Sequence, residues 1–157
     1  MADKGYTVVF LVDKTPQEAF DAINNVRGWW SENIDGITDK AGEEWTYRAE
    51  GFHYCKMKVT ELVPGKKVSW KVLDNKFTNK FGFRDKTEWI GTEIVFEISK
   101  KDNKTEIRFT HVGLVPEYEC YSLCSNAWGG YVKDSLRNLI MKGKGQPNPK
   151  EKSRKWE

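Results

Sequence analysis

The chain has 157 residues, a length at which one domain can bury a full core. Its 38% hydrophobic, 31% charged and 13% aromatic residues argue against a disordered chain. The net charge of +3 arises in residues 142–157; the remainder carries 20 positive and 21 negative side chains, so the body shows no phosphate-binding face and no nucleic-acid partner is expected.

Met1 is followed by Ala-Asp-Lys-Gly rather than an apolar run, and the longest apolar stretch, residues 8–12, is too short to cross a bilayer. The first element is a strand over residues 6–13, whose successive Val8, Val9, Phe10, Leu11 and Val12 predict cover on both faces. Thr15-Pro16-Gln17-Glu18 opens a short helix: Thr15 is the N-cap, Pro16 takes the first helical position and Glu18 completes a capping box. Phe20 and Ile23 follow at helical spacing, and Asn24-Asn25 ends the element. Trp29-Trp30 falls in a turn-rich segment, followed by a loop through Asp35-Gly36.

From residue 44 onward, strands alternate with turns. Trp45, Tyr47 and Ala49 form one run, and Gly51 breaks it. Cys55, Met57 and Val59 share a face, Pro64-Gly65 turns the chain, and Val68, Trp70 and Val72 share the next. Residues 74–85 read as a loop. Ile94, Phe96 and Ile98 point one way, and Glu93 points to the opposite, solvated side. Asp102-Asn103 is a hairpin turn leading to Ile107, Phe109 and His111 on one face.

The last element is a helix over residues 117–142, where Cys120, Leu123, Cys124, Ala127, Trp128, Tyr131, Leu136 and Ile140 recur at three- and four-residue spacing. Gly143 caps it and Pro147 forbids its continuation. Gly129-Gly130 in its middle costs about 1 kcal/mol per glycine against alanine, which predicts a kink or the close approach of another backbone. One domain over residues 1–147 and a basic, mobile tail over 148–157 follow.

Sequential strands joined by tight turns pair antiparallel, and an apolar sheet face must be covered. The order of elements therefore predicts an α+β fold: a curved antiparallel sheet of six or seven strands wrapped on one long C-terminal helix. Large aromatic side chains on both surfaces would leave a cavity between them.

Gly91-Thr92-Glu93, followed by Thr105-Glu106-Ile107-Arg108-Phe109-Thr110-His111-Val112-Gly113-Leu114, resembles a signature of the START-like (SRPBCC) superfamily. Residues 128–136 and Gly143-Lys144-Gly145-Gln146-Pro147 are similar to its helix signature, in the type called activator of heat-shock-protein-90 ATPase homologue (AHSA-type). The resemblance spans about residues 5–147, and the N-terminal half matches in pattern alone. It implies a helix-grip, birch-pollen-allergen-like fold with a deep hydrophobic cavity. Members of the superfamily bind sterols, lipids, plant hormones or polyketides, and some are cyclases. The co-chaperone role belongs to a eukaryotic namesake with an additional domain that 157 residues cannot hold, so a chaperone partner is discounted.

The candidate cavity residues are Trp30, Trp70, Trp89, Phe96, Phe109, His111, Cys124, Trp128 and Tyr131. His111, inward on an apolar strand face, reads as a core histidine bonded to a carbonyl or to Tyr131, as a polar anchor for a ligand, or as a general base. Cys120 and Cys124, four apart, would suit zinc with His111 or His53, but such cysteines more often act as small buried hydrophobes. Three cysteines in total, without the spacing of a disulfide framework, predict reduced thiols and a cytoplasmic location. No catalytic set, metal site or cofactor motif is present.

The expected function is to bind a small hydrophobic or aromatic molecule. The alternatives are a cyclase- or hydratase-like enzyme using His111 and a tyrosine in the same cavity, or a co-chaperone-like interaction domain. No membrane insertion is expected, and a homodimer is left open.

Overall fold

A computed structural model describes residues 5–49 and 53–149. The strands are β1 (Gly5–Val12), β2 (Ile34–Gly36), β3 (Glu44–Ala49), β4 (His53–Val63), β5 (Lys67–Phe77), β6 (Glu93–Lys101) and β7 (Lys104–Val112). They form one antiparallel sheet in the order β1-β7-β6-β5-β4-β3-β2. The expected meander is present, with β1 returning to pair β7 along its whole length. β2 is a short seventh strand at the far edge, where a loop was expected.

β1 is not covered on both faces. Val8, Phe10 and Val12 are buried, while Val9 and Leu11 are 41% and 39% exposed. An edge strand of a sheet with a single covering layer has only one apolar environment, so alternation wins over the continuous apolar run.

α1 (Pro16–Asn24) begins as the sequence predicts. Thr15 Oγ1 accepts from Glu18 N at 3.1 Å, and the Glu18 carboxylate accepts from Thr15 N at 3.0 Å. A 3-10 turn (Val26–Gly28) then drives Trp29 and Trp30 inward, where both are almost fully buried.

The C-terminal helical run begins at Tyr121, four residues later than expected, and comprises α2 (Tyr121–Trp128), a π-helical segment (Gly129–Leu136) and α3 (Arg137–Lys142). The glycine pair therefore marks a widened helix. No backbone approaches closely there: a Cβ on Gly129 would meet only the Tyr6 hydroxyl at 3.5 Å, and one on Gly130 nothing within 4 Å. Gly143 ends the run in the left-handed conformation, with φ 80°. No helix among the described residues is long and apolar enough to cross a membrane.

Asn148 and Pro149 are held against the body, and residues 150–157 of the expected tail lie outside the described residues. Asn148 N donates to Trp30 O at 2.9 Å, and Glu32 N to Asn148 O at 2.9 Å. Ser135 fastens the same strap: its hydroxyl donates to Trp29 O at 2.7 Å and accepts from Gln146 N at 2.7 Å. Gly145 permits the approach, since a Cβ there would lie 2.6 Å from Gly28 O. Ser135→Ala strips partners from two backbone groups, and chemical denaturation should show a loss of about 1–3 kcal/mol.

Curvature comes from two irregularities where β4 meets β5, one between Lys56 and Met57, the other between Val59 and Glu61. The first places Leu73 and Asp74 outward in succession and shifts the inward face of β5 from Val68, Trp70 and Val72 to Asn75 and Phe77. β5 thereby runs to Phe77, into the stretch expected to be a loop.

Candidate functional site

A cavity of about 510 Å³ lies at the end of the sheet where β3, β4 and β5 meet the start of the long helix. Its floor is Tyr47 and Ala49 of β3, His53 of β4 and Phe77 of β5. Phe81 and Trp89 of the β5–β6 loop close one side. Leu123, Cys124, Ala127, Trp128 and Tyr131 of the helical run form the roof. Trp30 and Asn33 close the far end with Asn148 and Pro149 of the strap.

The β5–β6 loop is tied to the helix start by two carboxylates. Glu119 accepts from Asp85 N at 2.8 Å and from Arg84 N at 2.9 Å. Glu88 accepts from Glu119 N at 3.1 Å and Cys120 N at 3.3 Å. The backbone N–H groups of Asp85 and Arg84 hold the Glu119 carboxyl below its ordinary range. This arrangement sets Trp89 face to face with Trp128, at 5.7 Å and 14°.

Trp89 also stands edge-on between two buried histidines, His53 at 4.7 Å and His111 at 4.8 Å. The Trp128 indole N–H donates to His111 Nδ1 at 3.0 Å, so the His111 proton sits on Nε2. Nε2 then donates to Thr92 Oγ1 at 2.8 Å, and that hydroxyl donates to Trp89 O at 2.6 Å. Burial, followed by the nearby His53, lowers the His111 pKa to about 3. Asn75 Nδ2 donates to Lys86 O at 3.3 Å, which leaves Asn75 Oδ1 to accept from His53 Nε2 at 2.6 Å. Burial brings His53 down to about 4. Both rings are neutral at pH 7.

At the opposite end, Asn148 Nδ2 donates to the Tyr131 hydroxyl at 2.9 Å and to the Tyr47 hydroxyl at 3.4 Å. Burial and the neighbouring Tyr131 phenol push the Tyr47 phenol far above its ordinary range. The hydrogen-bonded Cys120 thiol and burial likewise push Cys124 upward. The Trp89 indole N–H faces the Cys124 thiol, a weak acceptor, without forming a full hydrogen bond. All three cysteines are free and buried, and no group of three or more metal-binding side chains occurs among the described residues.

Of the nine residues expected in the wall, Trp30, Trp89, Cys124, Trp128 and Tyr131 line this cavity. Trp70, Phe96, Phe109 and His111 do not; they lie behind it, fully buried. Phe109 packs on Trp128 at 4.8 Å with no space between, and Trp70 packs on Phe96 at 5.4 Å. The cause is the Trp29-Trp30 pair. Trp30 sits between Trp70 at 6.5 Å and Trp128 at 5.0 Å, filling the volume where the cavity was expected. His111 is a core histidine bonded to Trp128 and Thr92, not to a carbonyl or to Tyr131.

Tyr47, His53, Phe77, Phe81, Leu123, Ala127 and Asn148 were not among the expected wall residues. His53 was within reach of the sequence, since it continues the inward alternation of Cys55, Met57 and Val59. Phe77 was not, because the irregularity before it reverses the alternation of its strand.

The family model described as "Activator of Hsp90 ATPase homolog 1-like protein" matches residues 15–141. Among solved structures, that of the Aha1 dimer from Colwellia psychrerythraea is similar with a TM-score of 0.72 at 25% identity, over 90% of this chain and 99% of that one. Two others share the fold at lower identity. DynU16, a putative protein in the dynemicin biosynthetic locus, has a TM-score of 0.64 at 13% identity, over 92% of this chain and 49% of that one. CalU16 from Micromonospora echinospora has a TM-score of 0.62 at 10% identity, over 89% and 75%. No curated protein is detectably similar to the chain.

Proposed function

The chain belongs to the Activator of Hsp90 ATPase homolog 1-like family, and from that premise we propose that it binds a small hydrophobic or aromatic molecule in the cavity roofed by the C-terminal helix. The observation that carries this reading is the cavity itself. Its volume of about 510 Å³ is in the range of small-molecule sites, and its wall is mostly apolar and rich in aromatic rings, with polar groups confined to a few positions.

Carriage is favoured over catalysis by the state of the titratable groups. His53 is held neutral, and the Tyr47 phenol and the Cys124 thiol are pushed away from neutrality's reach, so none of the three is poised for proton transfer at pH 7.

Native mass spectrometry of freshly purified protein should reveal a co-purifying small molecule. Ala127 is exposed at the cavity roof, so Ala127→Trp fills the space at little cost to the fold. Calorimetric titration with naphthalene-sized apolar compounds should show micromolar binding to the wild type and at least a tenfold weakening in Ala127→Trp. Equal affinities in the two proteins would move the binding elsewhere, and no binding to either would sink the reading.

A further inference from the structure

The chemistry of the wall narrows what the cavity would accept. Among the described residues that line it, none carries a formal charge at pH 7. The polar side chains gather at the strap end, where Tyr47, Tyr131, Asn148 and Asn33 meet, and the opposite end is the ring cluster of His53, Phe77, Phe81 and Trp89. In that cluster His53 stacks on Phe77 at 4.2 Å, and Phe81 stands edge-on to Phe77 at 5.8 Å.

Asn148 Nδ2 brings two hydrogens, and its contacts direct them at the two phenol oxygens. Each phenol oxygen thus accepts from Asn148 and keeps its own O–H as a donor. Both phenols line the cavity, but Tyr47 is buried and Tyr131 half-buried, so the O–H open to a guest is that of Tyr131. Its oxygen already accepts from Asn148, which polarises the O–H as a donor.

We propose that the cavity selects an uncharged aromatic molecule bearing a hydrogen-bond acceptor, in the simplest case a carbonyl, with the acceptor on the Tyr131 hydroxyl and the rings toward Phe77, Phe81 and Trp89. The inference rests on the binding role proposed above. An ionised carboxylate or phosphate in the same place would lose its hydration without gaining a cation, and such burial is strongly unfavourable.

Three naphthalene derivatives test this: 2-acetonaphthone, 2-naphthoate and 2-ethylnaphthalene, titrated at pH 7 into wild type and Tyr131→Phe by calorimetry and tryptophan fluorescence. The ketone should bind the wild type at least tenfold more tightly than the carboxylate. Tyr131→Phe should weaken the ketone about five- to tenfold and leave 2-ethylnaphthalene within twofold, which also shows that the variant keeps its cavity. Carboxylate binding as tight as ketone binding would overturn the charge selection. An unchanged ketone affinity in Tyr131→Phe would overturn the acceptor assignment. If none of the three binds the wild type, the binding role itself fails.

Discussion

Replacing Trp128 with Ala is expected to be among the most damaging single changes in the chain, costing about 4–6 kcal/mol of folding free energy. Truncating a buried tryptophan costs about 3–5 kcal/mol in lost transfer and cavity formation, and Trp128 is only 1% exposed. Its ring contacts Phe109 at 4.8 Å, Trp30 at 5.0 Å and Trp89 at 5.7 Å, so sheet, N-terminal turn and β5–β6 loop all lose a shared surface. The change also removes the indole N–H that donates to His111 Nδ1, a buried acceptor, which adds about 1 kcal/mol or more. Against a typical total stability of about 5–15 kcal/mol, such a loss is enough to leave the variant largely unfolded at 37 °C. Trp128→Phe separates the two causes. It keeps an aromatic ring, so urea denaturation should show a smaller loss, about 1–3 kcal/mol, with the slope of the transition unchanged. A Trp128→Ala midpoint close to wild type would mean that the helix and the sheet do not depend on this ring.

The sequence carried the architecture because its signals were local. The Thr15–Glu18 capping box, the Asp102-Asn103 hairpin and the alternation of Ile107, Phe109 and His111 each concern residues within a few positions of one another, and each appears in the structure as read. The cavity depended on contacts between distant segments. Trp29-Trp30 sits in a turn, and turn residues show no period that would reveal insertion between Trp70 and Trp128. The irregularity near Leu73 reverses the inward face of β5 without a glycine or proline to announce it. Asn148 lies beyond the helix and its Gly143 cap, in a stretch whose basic character reads as solvated tail, yet its side chain meets Tyr131 and Tyr47. The inward position of His111 was legible from alternation. Its partners, Thr92 and Trp128, are 19 and 17 residues away, and alternation says nothing about them.

The two histidines make folding stability depend on pH in a window of its own. In the unfolded chain both titrate near 6.5, whereas in the folded protein burial holds His53 near 4 and His111 near 3. Above pH 6.5 both states are neutral at these sites and the histidines contribute no pH dependence. Below it the unfolded chain takes up protons that the folded one refuses, so stability falls as pH falls, by up to about 1.4 kcal/mol per pH unit for each ring. Between pH 6.5 and pH 5 the loss should reach about 3 kcal/mol, half from each histidine. The geometry explains the refusal at His111: a proton on Nδ1 would point at the Trp128 indole N–H, setting donor against donor. Asp13, Glu18 and Glu119, whose carboxyls are lowered by hydrogen bonds in the folded state, also lose stability on acidification, but only around and below their unfolded pKa values near 4. Urea midpoints measured from pH 8 to pH 5 should therefore be flat above about 7 and fall steadily below 6.5. A His53→Gln variant, which cannot titrate, should show about half the fall between pH 6.5 and 5. If the wild type stays flat through that range, the two imidazoles take up protons as readily folded as unfolded, and His111 cannot be the neutral acceptor that the Trp128 indole N–H requires.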